Sequence, residues 1–497
     1  MVRSSRVLRF CFLILATALL VAGSRPSLSK PCAERVALVV DAYSSGIDLI
    51  SAFRTRGVRV IHVHAHPEMT AEPAFWRSFH ESGVKSLLIQ DFVIDSRKPE
   101  QVQRLLAELK HRSIFAVVAG AETGVLLADQ LGEGLGVPNN GTALSLARID
   151  KFEMHRVLRE KGLAHIDQMK SKDYRELEAW VLEHGRWPVV VKPPSSAGTN
   201  GVYFVHSIEE FSAAFNKIFA KLNGLNQINE AVIVQEFVEG TEFSVNTVSL
   251  DGRHIVTEIL DYERTRVEGA ATLYRANRLQ NPISGDPLFE GLSDRRERSG
   301  LFLDSLGKVS RVDDLNREVE KRRMLQQSLV SYSKQVLDAL GIQHGPAHIE
   351  LMRRPDGQIV LVEVGARICG AQTPRMIRAA TDSCQVLTTV EAALDPESFR
   401  ARAPMYSVRQ QALQYFVHTQ TPGSRLNFET IEAARRLPGV IAVYPHFQEG
   451  EALPRSIDAD TIPLDIQIVG NSTTLYWTRE KIESWEREGR FEIVEPE

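Results

Sequence analysis

His348-Ile349-Glu350-Leu351-Met352-Arg353-Arg354-Pro355-Asp356-Gly357-Gln358-Ile359-Val360-Leu361-Val362-Glu363-Val364-Gly365-Ala366-Arg367 is the stretch on which the fold turns. Two apolar runs, Ala347 to Met352 and Ile359 to Val364, flank Asp356-Gly357, a pair suited to a two-residue hairpin turn because both central residues take positive φ. A turn centred there stands equally far from Glu350 and Glu363, so the two carboxylates face each other across the ladder, their Cβ atoms ~5 Å apart. Facing like charges repel, and a purely structural hairpin gains nothing from them. A hard divalent cation, Mg2+ above all, would bridge them and hold substrate phosphates. A three-residue Pro355-Asp356-Gly357 turn with a bulge is the other reading; it shifts the pairing by one and puts the glutamates on opposite faces.

Upstream, Asp150 occupies an N-cap position before Lys151 and the periodic set Met154, Val157 and Leu158, a helix that Gly162 stops. Trp187 to Val191 reads as a strand with Lys192 at its end. The small residues that follow, Pro193-Pro194-Ser195-Ser196-Ala197-Gly198-Thr199-Asn200-Gly201-Val202, let backbone amides approach a phosphate closely. The spacing is not GxxxxGK[ST], so this is no P-loop. A strand from Val232 to Val238 comes next, then two alternating strands around Asp251-Gly252, another hairpin signal.

Before these lies a βαβ pattern: a strand from Val36 to Val40, a Ser44-Ser45-Gly46 loop, a helix ending at Gly57 and a strand from Val58 to Val63. Further strands at Ser86 to Ile89 and Ile114 to Ala119, with a helix from Pro99 to Lys110, extend it to an open, doubly wound parallel sheet. No GxGxxG follows the first strand, so the dinucleotide fingerprint is missing. Residues 263–325 are charged and irregular and read as an insertion, while strands at Ala412 to Val417 and Val440 to Tyr444 and a helix at Thr478 to Arg487 mark a mixed tail. The expected organisation is a leader over 1–30, an α/β domain over 31–145, a central domain over 146–400 and a mixed α/β domain over 401–497.

Length and composition agree with a folded, multidomain chain. At 497 residues it is about three times the ~150-residue prior for one domain, and 43% hydrophobic with 25% charged residues excludes disordered, collagen-like and polytopic membrane classes. A net charge of -4 supplies no global attraction for nucleic acid. Cys11, Cys32, Cys369 and Cys384 are too scattered for a disulfide framework or a CxxC metal site, and the latter two read as packed free thiols. Arg3, Arg6 and Arg9 before the apolar run Phe10 to Ala22, with Gly23-Ser24 after it, form a signal-like segment. Secretory entry, a plastid-directed leader, an uncleaved anchor and a misassigned start codon with a cytoplasmic product all stay open. The sequons Asn140-Gly-Thr and Asn471-Ser-Thr decide little.

Taken together, these residues resemble the ATP-grasp superfamily of carboxylate-amine ligases, most specifically between Asp150 and Arg367. Asp150-Lys151 and Val191-Lys192-Pro193 are similar to the family's two ATP lysines, the second followed by the phosphate-covering loop, here Ser195, Ser196, Gly198 and Gly201. Gln235-Glu236-Phe237-Val238 resembles the hinge that reads adenine, with Gln235 where an acid is usual. Glu242, in Glu239-Gly240-Thr241-Glu242, is similar to the acid that binds the ribose hydroxyls. His348-Ile349-Glu350 and Glu363-Val364-Gly365-Ala366-Arg367 resemble the two magnesium-binding strands, with Gly365 where many members have Asn, so water or another carboxylate would replace a third protein ligand. Within the superfamily, the Glu363 to Arg367 run, the Ser44-Ser45-Gly46 loop and Leu437-Pro438-Gly439-Val440 look most like L-amino acid ligases of the bacilysin-synthetase and carnosine-synthase type. The resemblance implies an ATP-grasp fold of the α/β (α+β) class with a two-lobed ATP-binding domain. It also implies ATP and Mg2+ (or Mn2+) as cofactors, Glu350 and Glu363 on the metal, Lys192 and Arg367 as catalytic residues, and an amide bond formed through an acyl phosphate with release of ADP and phosphate. Tyr262, Arg266 and Tyr274 are candidates for substrate selection. Partners are expected to be small carboxylates and amines, with no nucleic acid, membrane contact only through an uncleaved leader, and a homodimer left open. Two alternatives remain: an ATP-binding regulator without turnover, and a ligase acting on a carboxylate other than an amino acid.

Overall fold

The computed structural model describes residues 35–70, 79–195, 201–223, 228–265, 272–282, 301–303 and 309–494, with side chains of the last stretch from 317 onward. Its first layer is a parallel sheet of β1 (Val36–Val40), β2 (Arg59–His64), β3 (Leu88–Val93) and β4 (Ile114–Ala119) in the order β3-β2-β1-β4. Alternate β1 residues serve two faces, as a period of two requires. Val36, Leu38 and Val40 pack with Leu106, Val125 and Leu131 of helices Pro99–Leu109 and Val125–Leu135. Ala37 and Val39 pack with Ile50 and Phe53 of helix Ile47–Arg54 on the other side. The sheet is therefore doubly wound, as expected. The expected strand at Ser86 to Ile89 is displaced: Val84–Leu87 forms a 3-10 turn and the strand begins at Leu88. Its residues are only partly buried, so burial gave the strand pattern little contrast.

At the carboxyl ends of β1 and β4 two loops touch backbone to backbone. A Cβ on Gly46 would lie 2.5 Å from the Gly120 carbonyl oxygen, so glycine is required there. This contact places Ser45 and Glu122 over one edge of the sheet, where α/β proteins collect their ligands.

A second, antiparallel sheet holds β5 (Gln168–Ser171), β6 (Val189–Lys192), β7 (Tyr203–Val205) and β8 (Val232–Glu236) in the order β5-β8-β6-β7. Helices Tyr174–His184 and Ile208–Ile218 bury Leu177, Val181, Phe211 and Phe215 against Val191 and Val234. The third sheet takes in β9 (Thr241–Leu250), β10 (Arg253–Thr265), β11 (Leu273–Leu279), β14 (Gly345–Arg353), β15 (Ile359–Gly365), β16 (Gln411–Val417), β18 (Val440–Pro445) and β19 (Leu464–Gly470). These run β15-β14-β9-β10-β11-β16-β19-β18 without a break, and β17 (Arg425–Leu426) and β20 (Glu492–Ile493) form a separate two-stranded sheet. The Asp251-Gly252 turn joins β9 to β10 with φ of 51° and 74°, the positive pair that a tight hairpin needs.

Three shorter findings qualify the sequence reading. The stretch 263–325 is not irregular throughout: it contains the end of β10, all of β11, a small β12 (Leu301–Leu303) and β13 (Val309–Arg311) hairpin, and the start of the 28-residue helix Val312–Ala339. The last helix begins at Ser472 rather than Thr478, because the Asn471 side chain caps it by accepting from Thr474 N–H. Asn140 donates to the His344 carbonyl and accepts from the Gln343 and His344 amides, so both sequon asparagines are engaged in hydrogen bonds of the fold. Cys369 and Cys384 are buried free thiols, as expected. Cys11, Cys32 and the signal-like segment lie outside the described residues.

Candidate active site

The glutamate hairpin obeys neither sequence reading alone. Its turn is the three-residue one: Gly357 N–H donates to the Arg354 carbonyl, Arg354 pairs with Gln358, and Gly357 has φ of 92°. That turn shifts Leu351 onto Leu361 and Met352 onto Val360. A second irregularity then leaves Val362 without a partner, and Glu350 faces Glu363 after all. The carboxylates are brought together by two shifts that cancel.

Around them the structure assembles the expected lysines. Asp150 accepts from the amides of Phe152 and Glu153, so helix Lys151–Glu160 starts at Lys151. Lys151 Nζ meets Glu363 Oε2 at 2.8 Å, and Lys151 N–H donates to the Pro194 carbonyl, which ties the helix to the loop after Lys192. Lys192 ends β6 and is 5% exposed. Burial and the neighbouring Lys151 charge push its ammonium down to about 7. Burial opposes ionisation of Glu363, yet Lys151 holds it below the usual carboxylate range. Burial and the facing Glu363 push Glu350 up to about 8. The pair shares its charge unequally, and a cation would equalise it.

Lys192 therefore supplies a test. In the free protein it is half neutral near pH 7; a polyphosphate beside it would restore the charge, so nucleotide binding there would take up a proton above that pH. Calorimetry in buffers of different ionisation enthalpy is expected to show uptake approaching one proton at pH 8 and near zero at pH 6, and Lys192→Met should abolish the difference.

Arg367 does not pair with either of those glutamates. β15 stops at Gly365, and the Arg367 guanidinium donates from Nε to Glu122 Oε2 at 3.1 Å and from Nη1 to the Ile368 carbonyl. Glu122 was missed by the sequence reading; it sits in the loop after β4, more than 200 residues away, with no motif around it. Burial pushes its carboxyl up against the opposing pull of Arg367. A Cβ built on Gly365 would overlap Glu122 Oε2, so the space a side chain at 365 would take is filled by this carboxylate.

The expected nucleotide contacts fall on the hinge between the second and third sheets. Gln235 is buried and donates to Gln168 Oε1 at 2.6 Å across the β5/β8 pair. Glu236 pairs with Arg354, Phe237 packs edge-on against Phe204, and Val238 is buried with Ile166, Met352 and Val360. Glu242 lies on β9, 4% exposed, with Arg264 at 2.5 Å and the Tyr274 hydroxyl donating at 3.3 Å. Burial, only partly offset by Arg264, pushes its carboxyl up to about 7. Tyr262 stacks edge-on against Tyr274 beside this pair, with ring centroids 4.9 Å apart. Of the phosphate loop, Ser195 accepts from Asn223 through its carbonyl, and Gly201 takes φ of 72° over the Pro193 ring. Ser196, Gly198 and Arg266 lie outside the described residues.

Among the described residues, a separate trio, His62, His64 and Asp91, has ligand atoms within 4.8 Å of one another. It is a hydrogen-bonded network. The Ala42 amide donates to His62 Nε2, which leaves the proton on Nδ1, and Nδ1 points to Asp91 at 2.8 Å. Tyr43 holds His64 Nδ1 at 2.7 Å.

Two buried lysines lie beside two facing carboxylates, and comparison with known proteins is decisive. A family model described as "ATP-grasp domain" matches residues 185–274. Dapdiamide A synthase of Enterobacter agglomerans is 28% identical over 434 residues, covering 86% of this chain and 90% of that protein. The chain is an ATP-grasp ligase. An L-arginine-specific L-amino acid ligase of Bacillus subtilis is 22% identical over 349 residues, covering 70% of this chain and 73% of the relative. The crystal structure of an L-amino acid ligase from Bacillus licheniformis superposes with a TM-score of 0.64 at 16% identity, covering 93% of this chain and 99% of that one, which shows the shared fold. As an ATP-grasp ligase, this chain uses ATP with Mg2+ to join a carboxylate to an amine. Its donor set fits that ion: two carboxylates paired across adjacent strands, both largely buried beside two lysines.

Proposed function

We propose that this ligase condenses the carboxylate of one L-amino acid with the amine of a second amino acid or related small molecule, through an acyl phosphate, releasing ADP and phosphate. The observation that supports the reading is one buried cluster of charge: Lys151 pairs with Glu363, Glu363 faces Glu350, Arg367 pairs with Glu122, and Lys192 lies beside them. The similarity to an L-arginine-specific ligase and a dapdiamide synthase supports amino acids as substrates.

No side-chain nucleophile is needed. Lys151 and Lys192 bind the phosphates and orient the γ-phosphoryl toward the carboxylate. Glu350 and Glu363 would hold Mg2+, which supplies neutralisation of phosphate charge. Arg367, kept charged by Glu122 and Glu363 against the cost of its burial, faces the position where negative charge develops on the phosphoryl and then on the tetrahedral oxyanion. Gln235 to Val238 line the adenine slot, and Glu242 meets the ribose once Arg264 yields to the sugar hydroxyls. Tyr262 and Tyr274 form an apolar wall beside Glu242 and select the side chain admitted there.

The test is ADP release by the purified chain with Mg-ATP and a panel of L-amino acid pairs. Release that requires an amino acid, with a dipeptide detected by mass, is the expected result. Release driven only by carboxylates lacking an α-amino group would replace this reading with a ligase for another acid.

A further inference from the structure

β15 ends the large sheet, so one side of its backbone has no strand neighbour among the described residues. In a regular edge strand the amides that point away from the partner recur at every second residue. Here two such amides are held by side chains, and they stand three apart. Leu361 N–H donates to the Tyr332 hydroxyl at 3.2 Å, and Val364 N–H donates to the Met154 sulfur at 3.3 Å. The extra residue between them is the one inserted at Val362, which turns Glu363 to the face of Glu350. We propose that Tyr332 is a positioning residue of the metal site: its hydroxyl fixes the bulged backbone just before Glu363, Met154 fixes it just after, and Glu363 is thereby kept aimed at Glu350 for a shared cation. The inference rests on the reading of the two glutamates as metal ligands.

The hydroxyl is used on both sides. It donates to the Ala164 carbonyl at 2.5 Å, which leaves its lone pairs to accept from Leu361. One oxygen therefore joins three parts of the chain: the long helix Val312–Ala339 that carries Tyr332, strand β15, and the segment that leaves helix Lys151–Glu160. That segment is itself anchored, since Leu163 N–H closes the helix end on the Leu158 carbonyl. The same helix supplies Lys151, whose ammonium meets Glu363 at 2.8 Å, and one turn later Met154. Side chain and backbone of the bulge are thus held from one helix, and the backbone from a second. A strand without the bulge would turn either the Leu361 or the Val364 amide inward, away from its acceptor, so the two acceptors together select the bulged form. Leu361, Val364, Tyr332 and Met154 are all buried, and an amide that lost its acceptor there would be left unpaired.

The experiment measures Mn2+ binding by EPR in the full chain with a non-hydrolysable ATP analogue, for Tyr332→Phe, Tyr406→Phe and Glu363→Gln. Tyr406 is a matched control. Its hydroxyl also accepts from a strand amide, Ile259 on β10 at 3.2 Å, and donates to a carbonyl, Gln280 at 2.6 Å, but β10 carries neither glutamate of the pair. Tyr332→Phe is expected to raise the Mn2+ dissociation constant roughly 10-fold. Tyr406→Phe is expected to lower the melting temperature by a similar amount and leave Mn2+ affinity unchanged, and Glu363→Gln to abolish tight binding. Parent-like Mn2+ affinity in Tyr332→Phe, or an equal loss in both tyrosine variants, makes the hydroxyl merely structural and overturns the proposal; a loss in Glu363→Gln then leaves the glutamate reading standing. Mn2+ binding indifferent to Glu363→Gln overturns both. Should Tyr332→Phe fail to fold, Met154→Leu takes the acceptor from Val364 at nearly constant volume and is expected to weaken Mn2+ binding by a smaller factor; unchanged affinity there overturns the proposal.

Discussion

Glu363→Gln is expected to lower amino-acid-dependent ADP release by about 10^3-fold, which corresponds to about 4 kcal/mol of transition-state stabilisation. The glutamine keeps the shape of the side chain and an oxygen for the Lys151 ammonium at 2.8 Å, but it removes the charge that faces Glu350 and the phosphates. Alanine is a poorer choice: it would take away the carboxylate that meets the buried Lys151, 7% exposed, at a cost of about 3–5 kcal/mol that confuses folding with catalysis. A melting curve within a few degrees of the parent, with turnover lost, separates the two effects. Turnover within tenfold of the parent would show that this carboxylate is not in the reaction.

Arg367→Lys should lower kcat by roughly 10^2-fold to 10^3-fold with the KM for ATP little changed. The guanidinium reaches Glu122 and the Ile368 carbonyl from different nitrogens, which fixes its plane. An ammonium on a shorter stem cannot hold both contacts, so the positive charge is kept but its aim is lost. The signature is the split itself: with Lys151, Lys192 and the hinge as the proposed nucleotide contacts, binding is expected to persist and only the step that develops negative charge to suffer. A rise in the KM for ATP with unchanged kcat would instead place Arg367 on the nucleotide, and the assignment would fall.

Much of this site was legible because it is written in short-range signals. Asp150 before a periodic run, Lys192 at a strand end and the Asp251-Gly252 turn each depend on neighbours in sequence, and the structure places all three as read. The facing glutamates were legible for a weaker reason: the simple turn gave the right face through the wrong geometry, since Pro355 enters the loop and Val362 restores what that loop displaces. Glu122 and Arg354 could not be read: each reaches its partner through tertiary contact between elements distant in sequence, and a lone acid or arginine carries no periodicity to betray its target. Arg264 meets Glu242 diagonally across the β9–β10 hairpin, whose register is offset by the irregularity between Val256 and Glu258. The same holds for 263–325, where a high density of charge masked the strand Leu273–Leu279 and the start of a long helix.

The twice-shifted hairpin has a consequence best expressed as parity. Whether Glu350 and Glu363 share a face depends only on whether the number of register offsets between them is even, and here it is two: one at the tip, one at Val362. Losing either offset alone inverts one carboxylate and dismantles the site; losing both, by removing Pro355 and Val362 together, leaves every cross-strand partnership as it stands. A chain can therefore pass between the plain and the doubly bulged hairpin only in a paired step, and any single-residue change of length between the two glutamates is barred unless its complement accompanies it.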